Sequence, residues 1–171
     1  QVIVTVNDVP SISGATEVCE GSTLALNTSV PGGSWTSGNT GVATVNATTG
    51  VVAGVSSGTA TITYTTAAGC TDTYAVTVNG SPVIGGTLSA TVGGTSALSV
   101  SIDRSTVTGG TWSDNSSHIS IDPSTGVVTA ASSITGSSQT ATVTYTHTTG
   151  CEATATFTVY AAPAVTSMAT D

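Results

Sequence analysis

The chain has 171 residues, of which only 6% are charged, and its 1 basic and 9 acidic residues give a formal net charge of -8. A single basic side chain, Arg104, cannot neutralise a nucleic-acid backbone or hold the chain on an anionic membrane surface, so both partners are excluded. The 38% apolar fraction argues against disorder, and Thr, Ser, Asn and Gly interrupt every apolar run before it could span a membrane.

An internal repeat organises the chain. Residues 32–52 read GGSWTSGNTGVATVNATTGVV, and residues 109–128 read GGTWSDNSSHISIDPSTGVV. A second pair, TATITY at 59–64 and TATVTY at 140–145, precedes a glycine–cysteine turn in each copy, Gly69-Cys70 or Gly150-Cys151. The second copy carries a short insertion near residues 132–138. Self-similarity at this spacing predicts a tandem array of similar domains.

A closing segment occurs three times, as VTVNDVP, VTVNGSP and FTVYAAP, and each copy ends in a proline that marks a junction. Three closing segments with two tryptophan-centred cores predict four parts of the chain. Residues 1–8 would be the closing strand of a preceding repeat, 9–80 repeat 1, 81–161 repeat 2, and 162–171 the start of a following repeat. The chain is therefore interpreted as a section of a longer array.

Each repeat is predicted to be an all-β sandwich of about seven short strands, because β-branched residues alternate with turn residues at 8–12-residue spacing. The strands predicted in repeat 1 are 10–13, 22–29, 33–36, 42–46, 51–55, 59–65 and 73–79. Trp35 and Trp112 occupy the same repeat position and are predicted as core anchors, each burying on the order of 200 Å². The other inward residues are predicted to be Leu24, Leu26, Val42 or Val45, Ile62, Tyr64, Val76 and Val78, then Leu98, Val100, Ile102, Ile119, Ile121, Val143, Tyr145, Phe157 and Val159.

The run from Trp35 to Tyr64 resembles the bacterial immunoglobulin-like group 2 (BIg2) family. Its pattern of tryptophan, asparagine, Val-Ala-x-Val, Gly-x-Val and Gly-x-Ala-x-Ile is matched at Trp35, Asn39, Val42, Ala43, Val45, Gly50, Val52, Gly58, Ala60 and Ile62. Repeat 2 is similar at Trp112, Asn115, Ile119, Ile121, Gly126, Val128, Ala141 and Val143, and it departs from the pattern at His118 and after Ala131. The segments GCTDTYAVTV and GCEATATFTV are similar to arrays in very long surface adhesins of Bacteroidota.

This resemblance implies immunoglobulin-like sandwiches that act as stalk or spacer repeats of a secreted bacterial cell-surface adhesin or filament. Such a stalk holds a binding tip away from the cell, in adhesion, gliding or biofilm formation. The partners it implies are neighbouring repeats of the same chain and other copies in a filament. No cofactor and no enzymatic activity are expected.

Candidate chemistry outside this structural role is sparse. His147 and Cys151 lie four residues apart, but no third group orients them as a catalytic pair would need. Three cysteines without a C-x-x-C pair exclude a zinc site. Calcium at Asp8, Asp72 and Asp103 would need an acid-rich run that the sequence lacks, so solvated carboxylates are favoured there.

Secreted cysteines are expected to pair, but three is an odd number, so two pairings are weighed beside free thiols or other partners. Strand parity places Cys19 and Cys70 at opposite ends of repeat 1, roughly 20 Å or more apart, whereas a disulfide needs Cα atoms within about 7 Å. An inter-repeat Cys19–Cys151 bridge is therefore favoured over Cys19–Cys70, with Cys70 pairing to a preceding repeat. Both alternatives stay open, as does the counterpart of Cys19 in repeat 2, taken as Val92 or Gly93.

A carbohydrate-binding accessory module of a secreted enzyme is the alternative function. Sugar sites need exposed aromatic platforms, and the two tryptophans fall where the core is predicted. Tyr74 and Tyr160 would then be the remaining platforms.

Overall fold

The computed structural model describes residues 6–102, 105–106 and 109–163, and every regular element in these ranges is a β-strand. The chain divides into two compact units, one ending at Ser81 and one beginning at Pro82, and the names repeat 1 and repeat 2 are kept for them below. Within the described ranges there is no helix long and apolar enough to cross a membrane. The predicted flanking segments, 1–8 and 162–171, lie largely outside the described residues, and residues 6–8 are not in a strand.

Repeat 1 is a sandwich of two four-stranded sheets. Its strands are β1 (Ile12–Gly14), β2 (Glu17–Cys19), β3 (Thr23–Thr28), β4 (Ser34–Ser37), β5 (Ala43–Val45), β6 (Val51–Gly54), β7 (Gly58–Thr65) and β8 (Thr71–Asn79). One sheet has the order β1-β3-β6-β5, and the other has the order β2-β8-β7-β4. All neighbours are antiparallel except β2, which runs parallel to β8.

Repeat 2 has the same plan. Its strands are β9 (Val83–Gly86), β10 (Ser89–Thr91), β11 (Thr95–Ile102), β12 (Ser105–Thr106), β13 (Thr111–Asp114), β14 (Ile119–Ile121), β15 (Val127–Ala130), β16 (Ser138–Thr146) and β17 (Glu152–Tyr160). One sheet has the order β10-β17-β16-β13, and the other has β12-β11-β15-β14 with β9 also paired to β11. The short β12 has no counterpart in repeat 1.

The all-β prediction is confirmed. Each repeat also has one strand that the sequence pattern does not predict. Each repeat contains a three-residue strand, β2 or β10, which pairs in parallel with the last strand of its own repeat. Three residues are too few to show alternation, and the partner lies about 60 residues later in the chain for β2 and about 70 for β10. Only tertiary pairing identifies such a strand.

Each repeat has one core, filled from both sheets. In repeat 1 the predicted choice between Val42 and Val45 is replaced by Ala43, which is fully buried, while both valines pack partly buried beside it. Small residues were underestimated because periodicity arguments favour large apolar side chains. The buried residues of repeat 1 are Val18, Leu26, Trp35, Ala43, Val52, Ala60, Ile62, Tyr64, Val76 and Val78. Those of repeat 2 are Leu98, Val100, Trp112, Ile119, Ile121, Val128, Ala130, Ala141, Val143, Tyr145, Phe157 and Val159, whereas Ile102 is half-buried.

Gly33 packs so closely that no side chain fits there. A Cβ at this position would overlap the Thr65 carbonyl oxygen and lie 2.6 Å from Cζ of Tyr64. Gly33→Ala is therefore expected to destabilise repeat 1 by about 3 kcal/mol or more, because the obstacle is backbone. Gly41→Ala is the matched control, since its Cβ would meet only Oδ1 of Asn39 at 3.4 Å. Urea denaturation compares the two variants, and an equal loss of stability in both would contradict the packing argument.

Candidate functional site

A tryptophan–tyrosine pair lies in the core of each repeat. The rings of Trp35 and Tyr64 have centroids 4.7 Å apart, and those of Trp112 and Tyr145 are 4.9 Å apart. The tryptophans are 4% and 6% exposed. The Tyr64 hydroxyl accepts a hydrogen bond from the Gly33 N–H at 2.7 Å and donates one to a neighbouring carbonyl, also at 2.7 Å. Rings buried in this way offer no face on which a sugar could stack.

A shallow pocket of ≈ 260 Å³ lies beside this pair in repeat 1, at the loop that contains Pro31 and Gly32. Trp35 and Tyr64 contribute to its lining, but both are almost fully buried. The other lining residues are glycines, Leu26, Pro31 and residues with short polar side chains, so the tyrosine hydroxyl is the one titratable group in the lining. The pocket therefore lacks both an aromatic platform and a catalytic acid or base.

Tyr74 and Asp72 attach the first strand of repeat 1 to its last strand. The Ile12 N–H donates to Oδ2 of Asp72 at 2.8 Å, and the Tyr74 hydroxyl donates to the Gly14 carbonyl at 2.7 Å. Since β1 belongs to one sheet and β8 to the other, these two bonds cross between the sheets. A structural contact thus occupies the Tyr74 hydroxyl.

Removing these two bonds is expected to loosen β1 while the rest of repeat 1 stays folded. For Asp72→Ala combined with Tyr74→Phe, amide exchange across Ile12–Gly14 should speed up about 30-fold, since the two bonds together contribute on the order of 2 kcal/mol. Hydrogen-exchange mass spectrometry measures this, with β9 of repeat 2 as the internal control. If the exchange rate in β1 were unchanged, its pairing with β3 would be sufficient to hold the strand in place.

Tyr160 is the most exposed aromatic side chain among the described residues, at 50%. It ends β17 and pairs with Ser138 and Thr91. The repeat 1 residue in the same place is Asn79, so an exposed ring at this position does not recur. A single ring at a strand end is a weak sugar platform.

Equivalent tight turns precede β6 and β15, and they differ in one side chain. Oδ1 of Asn46 accepts hydrogen bonds from the Thr48 and Thr49 N–H groups, both at 3.0 Å. Oδ1 of Asp122 accepts them from the residues at the same places in repeat 2, at 2.9 and 2.8 Å. The backbone N–H of Thr125, then that of Ser124, lowers the pKa of Asp122 from its ordinary value of 3.8. Only the repeat 2 turn therefore titrates.

The Asp122 turn is expected to lose stability in acid, whereas the equivalent Asn46 turn is not. Because folding lowers the pKa of Asp122, its contribution to stability is present above the unfolded value of 3.8 and is lost as the pH falls through the lower folded pKa. NMR titration of the Ser124 and Thr125 amide shifts should give a midpoint below 3.8. Asp122→Asn should abolish the titration, and the Thr48 and Thr49 amides are controls that should not respond. A midpoint at or above the ordinary value would contradict the assignment.

No catalytic or metal centre is assembled from the described residues. No group of three or more His, Cys, Asp or Glu side chains that could hold a metal occurs among them. Nδ1 of His147 lies 3.0 Å from Oγ1 of Thr149, and Cys151 is disulfide-bonded, so this pair cannot act as a nucleophile and its base. Asp103, the third carboxylate considered for calcium, lies outside the described residues.

The strand register separates two of the cysteines within repeat 1. Cys19 ends β2 opposite Asn79, the last residue of β8, whereas Cys70 immediately precedes the first residue of β8. Nine residues of extended strand place them about 30 Å apart. A disulfide between them is excluded by this distance, as the parity argument anticipated.

Cys19 and Cys151 are each disulfide-bonded and Cys70 is a free cysteine, so the Cys19–Cys151 pairing is supported over Cys19–Cys70. The register also corrects one sequence alignment. Cys19 pairs with Asn79 as Thr91 pairs with Tyr160, so Thr91 is the repeat 2 counterpart of Cys19, rather than Val92 or Gly93. Sequence alignment misses this correspondence because β10 is only three residues long.

Comparison with solved structures identifies the fold. The C-terminal 282-residue fragment of intimin, solved in complex with the intimin-binding domain of the translocated intimin receptor, matches 88% of this chain and 64% of its own, with 15% identity and a TM-score of 0.59. An intimin mutant from EHEC O157:H7 matches 46% of this chain and 50% of its own, with 23% identity and a TM-score of 0.39. Mouse cadherin-23 EC22-24 matches 91% of this chain and 67% of its own, with 15% identity and a TM-score of 0.37.

The fold is immunoglobulin-like. This chain spans 50% and 64% of the lengths of the two intimin chains. No family model matches it, and no curated protein does. At such low identity the likeness establishes fold alone, so function has to be argued from the residues.

Proposed function

We propose that the chain is a pair of structural spacer repeats in a long, secreted bacterial cell-surface adhesin or filament. The repeats resemble BIg2 modules of Bacteroidota adhesins and hold a binding tip away from the cell, in adhesion, gliding or biofilm formation. Their partners are neighbouring repeats and other copies in a filament. Extracellular location is supported by the disulfide, since such bonds persist in oxidising compartments. The chain itself performs no catalytic reaction.

The disulfide is the observation that carries this proposal. It joins residue 19 to residue 151, so a chain pulled from both sides transmits the load through one covalent bond. The load then bypasses residues 20–150, which hold nearly all of both cores. A spacer benefits from such a bond because tension can then draw out only the residues on either side of it.

The features that recur between repeats also support a structural role. The tryptophan–tyrosine pairs are buried, and the glycines beside them, Gly50 and Gly126, pack against the indole rings. These residues build two similar sandwiches. Packing thus explains why these buried residues recur.

Replacement in the full-length protein tests the proposal. Exchanging residues 9–161 for two unrelated immunoglobulin-like domains of similar length should leave attachment unchanged at equal surface display. Deleting the same residues should reduce attachment, because the tip then lies closer to the cell. If the exchange abolishes attachment at normal display, these repeats bind something themselves and the spacer proposal fails.

Carbohydrate binding remains the second candidate because Tyr160 is half exposed. A glycan array with the wild-type chain and Tyr160→Ala decides it, and Tyr74→Phe serves as a control that removes only the hydroxyl. Binding that Tyr160→Ala abolishes would favour the accessory-module function.

A further inference from the structure

Cys70 lies in the same turn as Cys151. The Thr66 N–H donates to the Cys70 carbonyl at 2.8 Å, and the His147 N–H donates to the Cys151 carbonyl at 2.9 Å. The glycine before each cysteine has a positive φ, +86° at Gly69 and 82° at Gly150. Both turns present their cysteine directly before the last strand of the repeat.

The two equivalent cysteines differ in their state. Cys151 is disulfide-bonded and 1% exposed, whereas Cys70 is free and half-buried. The partner of Cys151 is Cys19, which comes from the end of the short parallel strand of the other repeat. Cys70 has no cysteine within reach in its own repeat, because Cys19 lies at the far end of β8.

We propose that Cys70 is a disulfide attachment site for another copy of this repeat. Its partner is a cysteine at the Cys19 position, at the end of a strand that runs parallel to the last strand of that copy. The evidence is the bond at Cys151, where the same turn receives a cysteine of this kind. The inference rests on the proposed function, because it requires an array or filament that supplies the second copy.

The bond forms by thiol–disulfide exchange. Two thiols, Cys70 and its partner, lose two protons and two electrons as the S–S bond forms. A disulfide-containing oxidant of the oxidising compartment accepts them and leaves as two thiols. The partner cysteine belongs either to the same polypeptide or to a second molecule, and the chemistry is the same in both.

A non-reduced peptide map of the full-length protein from its native surface tests the inference. Free thiols are blocked first with N-ethylmaleimide, and trypsin is of little use because Arg104 is the only basic residue. Combined cleavage before aspartate and after glutamate puts each cysteine on its own peptide, 18–20, 21–71 and 122–152. Peptide 21–71 is expected to be joined to a cysteine peptide from outside these 171 residues.

Each outcome is decisive. A partner peptide with the sequence of a similar repeat supports the inference, and a reduction-sensitive doubling of mass on a gel assigns it to a second molecule rather than the same chain. A maleimide adduct, a small-thiol adduct or a bond to peptide 18–20 overturns it. If the thiol is free while domain exchange preserves attachment, only this inference fails and the spacer function stands. Cys70→Ser should remove the cross-link and leave the 18–20 to 122–152 bond intact.

Discussion

Trp35→Ala is expected to destabilise repeat 1 by about 3–5 kcal/mol, as large-to-small changes in cores do. The ring is 4% exposed and packs against Tyr64 on one side. On another side the Gly50 backbone approaches so closely that a Cβ there would lie 2.9 Å from Cε2 of the indole. Rigid backbone cannot collapse into the space that the ring leaves, so most of the cavity cost persists. Trp112→Ala should have the same effect in repeat 2, against Tyr145 and Gly126.

Each variant contains its own reporter. Trp35→Ala leaves Trp112 as the only indole, so tryptophan fluorescence then follows repeat 2 alone. Its unfolding midpoint should be unchanged, while circular dichroism shows an earlier transition from repeat 1. Val51→Ala is the surface control, since Val51 is 39% exposed and should lose less than about 1 kcal/mol. If stability were unaffected in either tryptophan variant, the rings would not anchor the cores.

Much of the sandwich is predictable from the sequence because alternation is a local signal. Residues such as Ile62, Tyr64 and Val76 are buried where period two places them. The missing strand, β2, is three residues long and obtains its place from β8, far along the chain. Ala43 was overlooked because a small side chain carries little hydrophobic signal, although packing against neighbours buries it completely.

The pairing of the cysteines cannot be predicted from local sequence patterns alone. Composition predicts pairing but cannot choose a partner among three cysteines, and parity alone separated Cys19 from Cys70 only approximately. The register of β2 on β8 makes that separation definite. The ties from Asp72 and Tyr74 to β1 were not foreseen, because no sequence pattern reports a bond that crosses between two sheets.

Mechanical extension should depend strongly on the disulfide. With the bond intact, tension applied at the two chain ends can draw out only residues 1–18 and 152–171, about 130 Å at full extension. Reduction releases residues 20–150 as well, a further length of about 450 Å. The Cys19→Ser, Cys151→Ser double variant should behave as the reduced protein does, and Cys70→Ser should behave as the oxidised wild type.

Single-molecule force extension of the oxidised chain, tethered at both ends and then treated with dithiothreitol, is the most direct test of a load-bearing spacer. The expected record is a short extension of about 130 Å that holds until reductant is added, followed by unfolding steps that together add about 450 Å. Full-length extension of the oxidised protein before reduction would contradict it, because both cores would then bear the load and the bond between Cys19 and Cys151 would protect nothing.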